Sequence, residues 1–241
     1  HMGMALSKAP GRGSEGTPPT EHGGGGGDPT GGSPNYPDRL RRARMGLAVA
    51  LAPVFMLFIS FSAAFVARRL FSSDSATPSQ FQKWISTPVP WNLLLLNTFV
   101  LLVSSVTIEL ARRHLTKQVA LAPVKTIPGV SLGHERNIPW LGFTIALGIL
   151  FLLGQLHAWN QMELRGVVLS STASSSFFYL LTGMHAVHLA GGILALLYAA
   201  FAAVRHFVVE RQRIIIDVAA WYWHFMAALW IYILILIAIA R

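Results

Sequence analysis

Four histidines are the side chains in this sequence best suited to chemistry. His185 and His188 stand three residues apart in one apolar run, so in a helix both project from one face. His224 sits about two turns into the next run, inside the string Trp221-Tyr222-Trp223-His224-Phe225. His157 lies towards the far end of an earlier run. Imidazoles on adjacent helices invite a metal or haem reading. At a rise of about 1.5 Å per residue, His188 and His224 reach nearly the same depth, whereas His185 lies nearer one surface. A coordination sphere needs several ligands at matching depth and further groups to orient them. One His–His or His–aromatic contact does not supply that, so the ligand count favours packing. No metal, cofactor or catalytic residue is assigned to this chain.

Neutral polar residues form the second group. Asn97, Thr98, Ser104, Ser105 and Thr107 share one run, and Gln155 and Trp159 lie in the next. In hydrocarbon such side chains are costly without a partner. They suit hydrogen bonds between helices or a polar path for water and protons, and the lack of an ionisable group within that run favours the first. Gly183, Gly191 and Gly192 flank the paired histidines and permit close approach of a neighbouring helix.

The elements that position these residues are legible from composition. Of 241 residues, 53% are hydrophobic and only 12% charged, about half the charged share of a soluble domain. Five apolar runs, at about 45–67, 91–112, 139–162, 174–204 and 218–240, each reach the ~20 residues that a membrane-spanning helix needs. The expected fold is therefore all-α, a polytopic bundle of five transmembrane helices over residues 39–241. Charges sit almost wholly in the tail and loops. Pro53 removes a backbone hydrogen bond from the first helix and should kink it.

Twelve Lys and Arg residues flank the runs on one side and five on the other. The positive-inside rule then puts the N-terminus in the cytoplasm and the C-terminus outside. With no cysteine there can be no disulfide, thiolate metal site or cysteine nucleophile. The net charge of +9 resides in clusters at helix ends, which suits lipid headgroups and topology, not nucleic acid. Residues 1–38, with a pentaglycine and several prolines, cannot bury enough apolar surface to order themselves. They read as a mobile extension or one draped over a partner. The loop at 68–90 carries Phe71, Phe81 and Trp84, which suit an outer membrane surface or a partner's outer domain.

These motifs together resemble subunit III of the haem–copper terminal oxidases. The family's "LNT…SS…T" pattern is matched by Leu96-Asn97-Thr98 and Ser104-Ser105-Val106-Thr107. Its "SSFF…TG.H..H…G" pattern is matched by Ser175-Ser176-Phe177-Phe178, Thr182-Gly183, His185, His188 and Gly191. An acidic residue followed by "WYWHF…W" is matched by Asp217, Trp221, Trp223, His224 and Trp230. Gly154-Gln155 and Trp159 look like its "GQ…W" variants. The order is right across about residues 44–241. Five spans resemble the short bacterial form, so the long form's lipid cleft does not carry over. The family's "SEV.FF" glutamate is replaced in Ala52-Pro53-Val54-Phe55-Met56, and the aspartate after "WYWHFV" by Ala227.

The resemblance implies a non-redox accessory subunit of a proton-pumping cytochrome c oxidase in a bacterial plasma membrane. Its implied partners are oxidase subunits I and II, which would hold the haems and copper, together with bound phospholipid and possible membership of a larger respiratory supercomplex. No nucleic acid is expected. The implied role is to stabilise the catalytic subunit, hold lipid and support proton uptake. A subunit-III-like component of a bacterial nitric oxide reductase is the alternative.

Overall fold

The computed structural model describes residues 35–75, 89–125, 139–167, 173–205 and 209–239. Residues 1–34, with the pentaglycine, and Phe81 and Trp84 of the first loop lie outside the described residues. Five helices make up the described chain: α1 (Tyr36–Ser75), α2 (Trp91–Lys125), α3 (Trp140–Leu164), α4 (Ala173–Val204) and α5 (Val209–Ile239). Each is long and apolar enough to cross a membrane, and no strand occurs among the described residues. The chain is a multi-pass membrane protein.

The helices outrun the apolar runs. α1 begins at Tyr36 and carries Arg39, Arg41, Arg42 and Arg44 in its opening turns. α2 continues past Glu109 through Arg112 and Arg113. Backbone hydrogen bonding has no reason to stop where the side chains become polar, because the helix satisfies its own amides in either medium. Tyr36–Asp38, read from composition as the end of the tail, therefore belong to α1. That helix continues without a break through Pro53.

α2, α3, α4 and α5 form the packed body. Its core is built from Phe151, Met162, Leu181, Leu189, Trp223 and Trp230, all essentially inaccessible to solvent. Packing of this kind, with hydrogen bonds between helices, is what associates helices in lipid, where there is no hydrophobic gain from exchanging tails for side chains. α1 lies against α4 and α5 and is the least buried helix, with 17% of its most apolar window enclosed. Phe58 of α1 is its main insertion, reaching the ring of His188 at 5.9 Å between centroids.

Candidate functional site

The polar side chains inside the bundle fall into three layers. The first joins α3 to α4 at the end where α3 finishes. Trp159 donates its indole N–H to Thr182 Oγ1 at 3.1 Å, and Thr182 in turn donates to the Phe178 carbonyl at 2.7 Å. Tyr179 donates to the Val167 carbonyl at 2.8 Å, closing the α3–α4 turn. Gly183 lets the Trp159 ring lie close, 3.7 Å from where a Cβ would stand. Gln155 and His185 are buried just beneath. Asn97 donates to the Phe151 carbonyl at 3.4 Å, and a Cβ on Gly154 would collide with the Asn97 amide. Ser175 is fully buried at the start of α4, with Ser176 half-buried beside it.

The middle layer joins α2, α3 and α5. Trp223 donates its indole N–H to Ser104 Oγ at 2.9 Å, and Trp230 does the same to Thr98 Oγ1 at 3.0 Å. Thr107 and Thr144 share a hydrogen bond of 2.8 Å between hydroxyls. The polar residues of α2 are thus interhelical partners. Trp223 and Trp230 are completely buried, so neither belongs to an interfacial aromatic belt, whereas Trp221 is half-exposed. An indole has one N–H, and burying it beside a helix hydroxyl satisfies both groups. Ser105 is different, since its hydroxyl has no partner among the described residues.

The third layer is charged and lies where α1 and α5 begin and the polar part of α2 follows its apolar run. Asp217 is buried and accepts three hydrogen bonds. Arg44 supplies two, from Nε at 2.7 Å and Nη2 at 2.9 Å, and Arg112 supplies one from Nη1 at 3.0 Å. Glu109 accepts from Arg112 at 2.9 and 3.0 Å and from Arg113 at 3.0 Å. His224 Nε2 lies 3.7 Å from the same carboxylate. Arg213 lies over the Tyr36 ring, 4.7 Å from its centroid. Arg–carboxylate forks of this kind are strong and directional.

The expectation that charges reside in tail and loops needs correction here. Arg44, Glu109, Arg112 and Asp217 are helical and partly enclosed, because three helices bring them together at one level. Sequence reasoning read Arg44 and Arg112 only as topology signals and Glu109 as the end of a run. The spacing of Glu109, Arg112 and Arg113 at i, i+3 and i+4 was the available signal. Nothing local joined that group to Arg44 or Asp217.

An open cavity of about 750 Å³ lies over this layer. Arg44, Arg112, Arg113, Lys117 and Arg213 line it, against the two carboxylates of Glu109 and Asp217. Arg44 also heads an apolar groove of about 480 Å³ between α1 and α5, floored by Leu47, Leu51, Trp221 and Phe225. The pair forms a cationic mouth above a hydrocarbon-lined trough.

The histidines do not converge. His185 is enclosed between Phe151 and Trp230, with ring centroids at 5.9 and 5.2 Å. His188 sets Nδ1 2.6 Å from the Met184 carbonyl of its own helix, while Tyr222 donates to the His188 carbonyl at 2.7 Å. His224 turns away towards Glu109, and His157 lies 3.1 Å from Gln161. Tyr222 does bring α5 to the level of His188 near Gly191, but the two imidazoles face different neighbours. Among the described residues no group of three or more His, Asp or Glu side chains could hold a metal ion.

The family model for cytochrome c oxidase subunit III matches residues 40–240. Cytochrome c oxidase subunit 3 of Drosophila yakuba is 28% identical over 194 residues, covering 80% of this chain and 68% of its own length. Its counterpart from Anopheles gambiae is 29% identical over 198 residues, with the same two coverages. A probable cytochrome c oxidase subunit 3 of Mycobacterium leprae (strain TN) is 26% identical over 195 residues, covering 80% of this chain and 86% of its own length. These matches do not favour the nitric oxide reductase alternative. With five long apolar helices and a match across nearly all of them, the chain belongs to the cytochrome c oxidase subunit III family.

Proposed function

We propose that this chain is a non-redox accessory subunit of a proton-pumping haem–copper oxidase. Subunits I and II of the complex hold the haems and copper and carry out oxygen reduction. The family match over residues 40–240 carries this reading. The separate neighbours of His185, His188 and His224 support it, because the three imidazoles do not converge on a common centre.

The charged layer faces the cytoplasm of a bacterial cell, as the twelve-to-five bias of Lys and Arg argues. There it attracts anionic phospholipid, with a phosphate beside Arg44 and an acyl chain along Leu47 and Leu51. Glu109 and Asp217 are held in arginine forks that keep both carboxylates ionised, so any support of proton uptake falls to the surrounding surface of the complex and not to these two groups. The first helix has Ala52-Pro53-Val54 in place of the family's membrane carboxylate, so stabilisation of the catalytic subunit outweighs proton relay.

The test is removal of the chain from the assembled oxidase. The haem spectrum stays intact while the enzyme inactivates faster during turnover. Equal turnover stability with and without the chain overturns the proposal.

A further inference from the structure

Gln155 of α3 and His185 of α4 are 1% and 0% exposed, and all four of their side-chain nitrogen and oxygen atoms are buried without a partner among the described residues. Buried polar groups left in this state cost about 1–3 kcal/mol each and call for an explanation. Two contacts fix their mutual level. α3 and α4 run antiparallel, with Trp159 bonded to Thr182 and the Phe151 ring against the His185 ring. Gln155 lies midway between Trp159 and Phe151 on the same helix face, so it fronts the turn from Thr182 to His185. The imidazole is flanked by aromatic rings, with Trp230 tilted by 34° to it and Phe151 in an edge contact at 80°. Its two nitrogens lie in the ring plane and are left for a polar partner.

We propose that Gln155 and His185 form a binding site for an ordered internal water that bridges α3 and α4. The donors and acceptors are complementary, and one water reaches one of the two ring nitrogens and one end of the amide. A neutral imidazole offers one N–H and one acceptor nitrogen, and the amide offers two N–H donors and a carbonyl oxygen. Water supplies two donors and two acceptors, so one molecule can donate to the imidazole nitrogen while accepting from the Gln155 amide. A metal ion suits the site poorly, since its ligands would be one neutral imidazole and one amide. An apolar ligand would leave every polar atom unsatisfied. The water also accounts for polar residues at two positions where leucine and phenylalanine would pack with less cost.

Two measurements on the intact oxidase complex test the site. A cryo-EM map at a resolution that shows ordered solvent should contain a peak within hydrogen-bonding distance of both side chains. A direct bond between Gln155 and His185, or no peak between them, overturns the proposal. In the second, Gln155→Leu, His185→Phe and the double variant are compared by the half-life of the complex on heating. Each single change strands the other polar group and shortens the half-life about tenfold, and the double variant recovers most of that loss. Unchanged half-lives in the single variants, or losses that multiply in the double, also overturn it. If a single variant fails to assemble, assembly of the double carries the same information, and its failure to assemble counts against the site.

Discussion

Arg44 in the second turn of the first helix's charged segment grips Asp217 of the last helix with two parallel bonds, of 2.7 and 2.9 Å. Asp217 is simultaneously bonded to Arg112, so one carboxylate ties α1, α2 and α5 together. α1 has little enclosed surface of its own, and this fork fixes it at one end. At the other, Arg69 donates to the terminal Ile239 carbonyl of α5 at 2.9 Å, satisfying one of the acceptors that every helix end leaves open.

Asp217→Asn should loosen α1 without disturbing the packed body. The change removes the charge from a partly enclosed fork, at a cost of about 1–2 kcal/mol, held low because nearly half of the Arg44 side chain meets solvent. Protease cleavage within α1 of the assembled complex should become faster, while the haem absorption spectrum stays unchanged. Arg44→Lys should behave similarly, because an ammonium cannot reproduce the two-bond fork.

Salt dependence offers a separate reading of the same contacts. The exposed part of the charged layer is screened as ionic strength rises. Raising salt should therefore increase the accessibility of α1 in the native protein. Asp217→Asn should flatten that dependence, as measured by cleavage rate against salt concentration.

Gly148→Ala should be among the more damaging single-methyl additions in the bundle. The new Cβ would stand 2.7 Å from Cη2 and 3.1 Å from Cζ2 of Trp223, and 3.3 Å from Ile193. A buried indole held by Ser104 cannot swing aside, so α3 and α5 must separate, at a cost of about 1–3 kcal/mol. Trp223→Phe removes the obstructing atoms and should relieve most of the loss. Melting temperatures of the two single variants and the double variant would show the recovery.

Gly192→Ala reaches the Tyr222 ring instead, with a Cβ placed 2.9 Å from Cε1. The displaced ring would give up its hydroxyl bond to the His188 carbonyl. A loss of about 1 kcal/mol is expected. Tyr222→Phe, which abolishes that bond in advance, should have a smaller further loss on adding Gly192→Ala than the wild-type protein suffers.

The number and placement of the helices were legible because lipid imposes a length and forbids charge along it, and both constraints act on contiguous sequence. The helix ends were less legible: at Tyr36 and beyond Glu109 the helix persists into charged segments that hydropathy assigns to flanks. The polar residues of α2 were recognisable as interhelical bonding groups, but their partners were not. Whether Ser104 meets Trp223 or Thr98 meets Trp230 depends on the rotation of helices more than a hundred residues apart in sequence. The charged layer was least visible, since Arg44, Arg112 and Asp217 acquire joint meaning only when three helices stand side by side. The histidines illustrate the opposite case. Their spacing was suggestive, but the helix rotations send them to separate neighbours.

The fork between Arg44 and Asp217 joins residues 173 positions apart in the chain. At ribosomal speeds of about 5–20 residues per second, Arg44 is made roughly 10–35 s before its partner exists. During that interval the first helix must wait in the bilayer without its final neighbour. A chain cut short before residue 217 never completes the closure. α5 thus fixes the position of α1 only late in synthesis, and until then α1 stands in the bilayer without its clasp.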